Sequence, residues 1–235
     1  MPEQTHATEL EEFDRRWLDL LEQTPLVRTV AGLTGLTRLG ERPAALERLA
    51  AIVDRPHDET AALARRELGA RIEGGLVYWD DPYPGDQTRR TVSIGDHRVS
   101  MGSGCGPDVF MFAAVLDVAF RVDETCPVTG TPIRVDFVPD GYERVDPPEA
   151  VTILLHPDDL RASIGKGFKE INADVCSYQP FFASATAAEA WLAARPGSRA
   201  FTVQEMFERS WYIHYRDNLR PLIHTPAGPD GAPVP

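Results

Sequence analysis

Apolar side chains recur at Leu10, Phe13, Trp17, Leu18, Leu20 and Leu21, mostly three or four residues apart, and that spacing predicts an amphipathic helix over 10–21. A second helical stretch follows over 26–36, weakened by Gly32 and Gly35. Residues 43–53 place Leu46, Leu49, Ala50 and Val53 on one helical face and stop at Arg55-Pro56; Asp58-Glu59 then opens another helix running to about 68. Two strand candidates, 75–79 and 91–94, flank the turn-rich run from Asp80 to Asp86. From about residue 100 the texture becomes glycine-rich, Met101-Gly102-Ser103-Gly104-Cys105-Gly106, and leads into an apolar helix beginning near Pro107. Proline suits a first helical turn because its missing N–H would be unpaired there. Strands are predicted over 119–122, 133–138 and 150–155, with the intervening Cys126 to Pro132 and Pro139-Asp140-Gly141 segments favouring short antiparallel pairs. Residues 171–184 alternate as a strand leading into Phe181-Phe182, and 187–194 and 203–220 are helical.

This order of elements predicts an α+β protein: a helical, winged-helix-like N-terminal domain over 1–99, a catalytic domain of short antiparallel strands and helices over 100–225, and a proline-rich tail over 226–235 that need not fold. A winged helix raises the question of DNA. Arg65, Arg66 and Arg71 are offset by Asp58, Glu59 and Glu67, and the whole chain has a net charge of −12, which opposes binding to phosphate backbones and to anionic membranes. The winged-helix outline therefore predicts a scaffold rather than a DNA reader. The apolar run 109–120 is too short to span a bilayer and contains Asp117. The acidic start, with Glu9, Glu11, Glu12 and Asp14, is unlike a secretory signal, and the expectation is a cytoplasmic protein.

Three cysteines cannot all pair within one chain, so free thiols are expected in a reducing compartment. Cys105 precedes a helix start, where unpaired N–H groups favour the thiolate, and Asp108 lies three residues on, within reach for proton exchange. Taken alone, this spacing is also what an ordinary acidic first turn looks like. Cys176 follows much later in Asp174-Val175-Cys176-Ser177-Tyr178, with no histidine or second cysteine at zinc-site spacing. His156, His214 and His224 stand isolated and are expected at the surface or in packing.

Three blocks resemble the alkylmercury lyases, or organomercurial lyases: Cys105-Gly106-Pro107-Asp108 with its apolar helix, Arg121 through Cys126 to Pro132, and Cys176 followed by Phe181-Phe182-Ala183-Ser184 and Trp191. The resemblance runs over about 40–208. It implies that Cys105 and Cys176 bind the mercury of an organomercurial, with Asp108 shuttling the proton and itself a possible mercury ligand, while Cys126 is structural and buried. It implies protonolysis of the carbon–mercury bond to a hydrocarbon and Hg(II), with no organic cofactor. Low-molecular-weight thiols would help remove the product, and a mercuric reductase would be the downstream partner.

The sequence departs from the family at Gly102 and Gly104, where bulky aromatics are common, and at Ser177, where some members have another cysteine. It also has extra length around Gly165-Lys166-Gly167 and at both termini. Two further readings follow: the same thiols and acid redirected to another soft-element or biosynthetic substrate, or a non-catalytic metal-responsive regulator built on the winged helix.

Overall fold

In a computed structural model of the chain, which describes residues 2–38, 40–79, 90–100, 106–166, 168–176 and 179–225, helices combine with antiparallel sheets in an α+β fold. The chain divides into two compact units, Met1–Asp80 with Arg209–Pro235, and Asp81–Glu208. Among the described residues, no helix is long and apolar enough to cross a membrane.

The first unit begins with α1 (Pro2–Gln23), α2 (Pro25–Arg38), β1 (Ala44–Ala45), α3 (Leu46–Val53), α4 (His57–Leu68), β2 (Arg71–Glu73) and β3 (Leu76–Tyr78). Helix α1 buries Phe13, Trp17, Leu20 and Leu21, while Arg15 pairs with Glu12 and Asp19 on its exposed side. Helix α2 is buried from Thr29 through Thr37, and its two glycines are contact points rather than weak points. A Cβ on Gly32 would stand 2.9 Å from Ile52 of α3, and one on Gly35 would stand 2.8 Å from Ile223, so each glycine sets how closely its neighbour approaches. Helix α3 begins later than the sequence suggests because Ala44 and Ala45 pair with Val77 and Leu76 as a strand. The sheet order is β1-β3-β2. The segments 75–79 and 91–94 do not form one wing: β3 pairs with β1 and β2, whereas the later strand lies in the sheet of the second unit.

That second unit contains β4 (Arg90–Ile94), β5 (His97–Ser100), α5 (Gly106–Leu116), β6 (Phe120–Thr125), β7 (Pro132–Val138), β8 (Gly141–Asp146) and β9 (Val151–Leu154). It continues through α6 (Pro157–Ser163), α7 (Phe168–Asp174), β10 (Phe181–Phe182), α8 (Ala185–Ala193), β11 (Arg199–Thr202) and α9 (Val203–Phe207). One antiparallel sheet runs β5-β4-β6-β7-β8 and a second runs β10-β9-β11. The short antiparallel pairing expected after residue 100 is present, as is the helix beginning near Pro107. From Val109 to Leu116, α5 is buried on every side, as an apolar helix must be. Its Phe110 ring lies 5.4 Å from Phe137 in the first sheet, 6.1 Å from Phe181 in the second and 5.6 Å from Phe207 of α9.

A boundary at 99/100 would separate β4 from β6, its hydrogen-bonded neighbour; the structure groups the chain differently. The helical run over 203–220 also breaks at Glu208 and Arg209. Beyond the break, α10 (Ser210–His214), a π-helix (Tyr215–Leu219) and α11 (Arg220–His224) return to the first unit. Arg209 pairs there with Asp14 at 3.1 Å, and Arg48 donates to the carbonyls of Ile223 and Thr225, at 2.6 and 2.9 Å, closing the end of α11. The expected tail over 226–235 lies outside the described residues.

Truncating Phe110 removes the ring that touches both sheets of the second unit. Phe110→Ala is expected to lower stability by about 3–5 kcal/mol, read as a lower urea midpoint with an unchanged slope. A loss below about 1 kcal/mol would contradict this placement.

Candidate functional site

Cys105, Gly102, Gly104 and Ser177 lie outside the described residues; Asp108, Cys126 and Cys176 lie within them. Helix α5 starts at Gly106, with Pro107 next and Asp108 in the first turn, where the helix dipole favours a carboxylate. Asp108 is half-buried between the buried Pro107 and Val109.

Gly106, the residue that follows Cys105, donates its N–H to the Gln179 carbonyl at 2.5 Å. The approach admits no side chain: a Cβ on Gly106 would stand 2.0 Å from Thr152 Oγ1 and 2.9 Å from that same carbonyl oxygen. The start of α5 is therefore joined to a residue three positions beyond Cys176.

Cys176 is a free thiol, 7% exposed. It sits just past the C-terminus of α7 rather than on the strand that the alternation over 171–184 suggests. Ile171 and Val175 are both buried, and the Val175 N–H donates to the Ile171 carbonyl at 2.9 Å. They lie one helical turn apart, a spacing that the period-two pattern also accommodates. Among the described residues of that segment, Phe181 and Phe182 form the strand, paired with Thr152 and Val151. The Cys176 carbonyl accepts from the Gln179 N–H at 3.2 Å.

Residues 179–181 are held one residue at a time. Gln179 is bound by Gly106, the Pro180 carbonyl accepts from the Thr152 hydroxyl at 3.4 Å, and the Phe181 N–H donates to Glu124 Oε1 at 3.3 Å. The buried Gln179 side chain also accepts from the Leu155 N–H at 3.1 Å. The other oxygen of Glu124 accepts from Arg90 Nε at 2.7 Å; the two side chains are 0% and 2% exposed, and the guanidinium lies 5.5 Å from the centre of the Phe181 ring. Sequence reasoning assigned no role to Arg90, Glu124, Thr152 or Gln179. A signal for two of them was present: Glu124 shares the inward face of β6 with Phe120 and Val122, and Arg90 that of β4 with Val92. Charges at the apolar positions of neighbouring strands point to a buried pair.

Cys126, 1% exposed, occupies the loop between β6 and β7. Its N–H donates to the Thr131 carbonyl at 2.9 Å and its carbonyl accepts from the Gly130 N–H at 3.0 Å, with Gly130 at φ 70°. Burial pushes the thiol up, but donation from the Thr129 hydroxyl and from the N–H groups of Ala183, Thr129 and Val128 outweighs it. The thiol is left below its ordinary value. His156 accepts from the Asp158 N–H as the N-cap of α6. A cavity of about 620 Å³, lined by Thr91, Asp123, Glu124, Arg134 and Asp146 among others, includes neither Asp108 nor Cys176 in its lining.

A sequence model described as MerB: Alkylmercury lyase matches residues 86–212, a little over half of the chain. The alkylmercury lyase of Bacillus cereus is 35% identical over 104 residues, covering 44% of this chain and 44% of that protein. In that match, as in the Clostridium butyricum one, the chain spans less than half the length of its relative. The alkylmercury lyase of Streptomyces lividans is 28% identical over 174 residues, covering 71% of this chain and 73% of that protein. Among solved structures, one titled as the mercury-bound form of MerB2 shares the fold at a TM-score of 0.55 and 13% identity, covering 91% of this chain and 99% of that one.

Two outcomes follow from the geometry. Gly106→Ala is expected to lower stability by about 1–3 kcal/mol in urea titration. Adding Thr152→Ala should recover part of that loss, because it removes the hydroxyl but leaves the Gln179 carbonyl in the way. Full tolerance of the single variant would contradict the close approach. For Cys126, a folded-state pKa below the unfolded value contributes stability that is fully present above the unfolded value and disappears as pH falls through the lowered one. The stability lost in Thr129→Val should therefore grow as pH rises across that window. A loss independent of pH would contradict thiolate stabilisation by the hydroxyl.

Proposed function

Because this chain belongs to the alkylmercury lyase family, we propose that it cleaves carbon–mercury bonds by protonolysis, giving a hydrocarbon and Hg(II). The observation that carries the proposal is the Gly106–Gln179 hydrogen bond. It joins the start of the helix bearing Asp108 to the segment following the buried free thiol of Cys176. Cys105 directly precedes that helix in sequence.

In this reading the Cys105 and Cys176 thiolates hold the mercury of the substrate, a soft cation that prefers sulfur over oxygen or nitrogen ligands. Electron density donated by the thiolates makes the bound carbon more basic. Asp108 accepts a proton from an incoming thiol and returns it to that carbon as general acid. The electron pair of the breaking carbon–mercury bond goes to carbon with the proton, and Hg(II) stays on the two sulfurs. The burial of Cys176 supports the reading, because it limits competition from water for the metal. The chemistry calls for no organic cofactor. External low-molecular-weight thiols would draw Hg(II) off the protein, a mercuric reductase would consume it, and a reducing compartment such as the cytoplasm would keep the thiols free. The sequence α2, β1, α3, α4, β2, β3, with sheet order β1-β3-β2, supports a winged-helix scaffold for the first unit. The chain's net charge of −12 weighs against DNA as its ligand.

Incubation of the purified protein with phenylmercury and excess thiol tests the reading, with benzene and Hg(II) measured against a thiol-only control. Benzene above the control is expected, and its absence overturns the proposal. Cys105→Ser and Cys176→Ser should each abolish turnover, whereas Asp108→Asn should keep mercury binding and lose benzene formation. Undiminished activity in the Asp108 variant would remove its role as proton donor.

A further inference from the structure

Strand β10 lies at the edge of its sheet, paired on one side with β9. The Phe181 N–H donates to a carboxylate from the other sheet, Glu124 of β6, which is itself fixed by Arg90 of β4. An ion pair this deeply buried carries a large desolvation cost, and apolar side chains of similar volume often fill such a space at no loss of stability. The pair does something apolar packing cannot: it presents a fixed acceptor to one backbone N–H. That N–H ends a run of three consecutive residues tied to three elements, Gln179 to α5, Pro180 to β9 and Phe181 to β6.

We propose that Glu124, oriented by Arg90, is a positioning residue for the reaction: by holding Phe181 it fixes the segment that follows Cys176 against the helix start that bears Asp108. The inference rests on the lyase reading and adds to it the group that sets the spacing of its two halves. Glu124 touches no reacting atom in this account. It acts through the Phe181 N–H and, by way of Gln179, through Gly106. Displacements on the order of 1 Å at a reacting centre cost about a hundredfold in rate, so loss of this acceptor is expected to fall on kcat rather than on KM.

Two double variants separate positioning from bulk stability, since both remove the ion pair and neither leaves a buried unpaired charge. Arg90→Met with Glu124→Gln keeps a carbonyl acceptor for Phe181; Arg90→Met with Glu124→Leu does not. Both are assayed as full chains at a temperature where circular dichroism shows them folded. The Gln variant should keep kcat for phenylmercury within roughly threefold of wild type. The Leu variant should lose about 10- to 100-fold in kcat with KM changed less than about threefold. Equal kcat values would overturn the proposal. A second readout needs no turnover: Hg(II) binding in competition with dithiothreitol, followed by the thiolate-to-mercury ultraviolet band, should weaken at least about tenfold in the Leu variant alone. If wild type binds Hg(II) through both thiols yet forms no benzene, the lyase reading falls and the binding comparison decides the positioning role. If Cys176→Ser leaves wild-type Hg(II) binding unchanged, both ideas fall.

Discussion

The second unit depends on one close approach. The first N–H of α5 meets the Gln179 carbonyl, with the Thr152 hydroxyl beside it, in a space that holds no side chain at residue 106. A buried helix must satisfy its leading N–H groups with protein partners, because water does not reach them. Here a partner comes from the segment after Cys176. The same bond thus completes the start of the helix and joins two regions of the chain separated by more than seventy residues. Asp108 lies in the first turn beyond it, the apolar helix body around Phe110 follows, and the buried thiol of Cys176 stands three residues before Gln179 in sequence.

The buried Arg90–Glu124 pair has a related function one layer out. A charge is costly in an apolar interior, and this pair stands where the Phe181 N–H takes a side-chain acceptor, next to two carbonyls held by the Thr152 hydroxyl and the Gly106 N–H. Cys126 is the quieter counterpart: its thiol is enclosed by the Thr129 hydroxyl and three N–H groups, a setting that satisfies the sulfur and ties the β6–β7 loop to Ala183. That environment accords with a structural role for the third cysteine.

Much of the second unit was legible from sequence because its signals are local. Pro107 marked the start of α5, and the turn-rich segments around the strand candidates at 133–138 and 150–155 marked off β7 and β9. What escaped sequence reasoning depended on partners distant in the chain. Gly32 and Gly35 looked like helix weaknesses because the side chains they accommodate, Ile52 and Ile223, are far away in sequence. Residues 171–176 fitted both periodicities, and the helical one prevailed, with Ile171 and Val175 buried one turn apart. The two-residue strand β1 exists only through its pairing with β3. Of the proposed site, Asp108 and Cys176 were legible as residue types, whereas Glu124 and Gln179 became visible only once the backbone groups they bind were in place.

In the proposed reaction a proton delivered at Asp108 reaches a carbon whose mercury is held by Cys105 and Cys176. A single turnover in D2O follows that proton, with one equivalent of phenylmercury on the protein, no external thiol, and the benzene analysed by mass spectrometry. Monodeuterated benzene is expected, with Hg(II) retained on the protein by two sulfurs as read by X-ray absorption. Benzene without deuterium, or phenylmercury left intact on the protein, would contradict it.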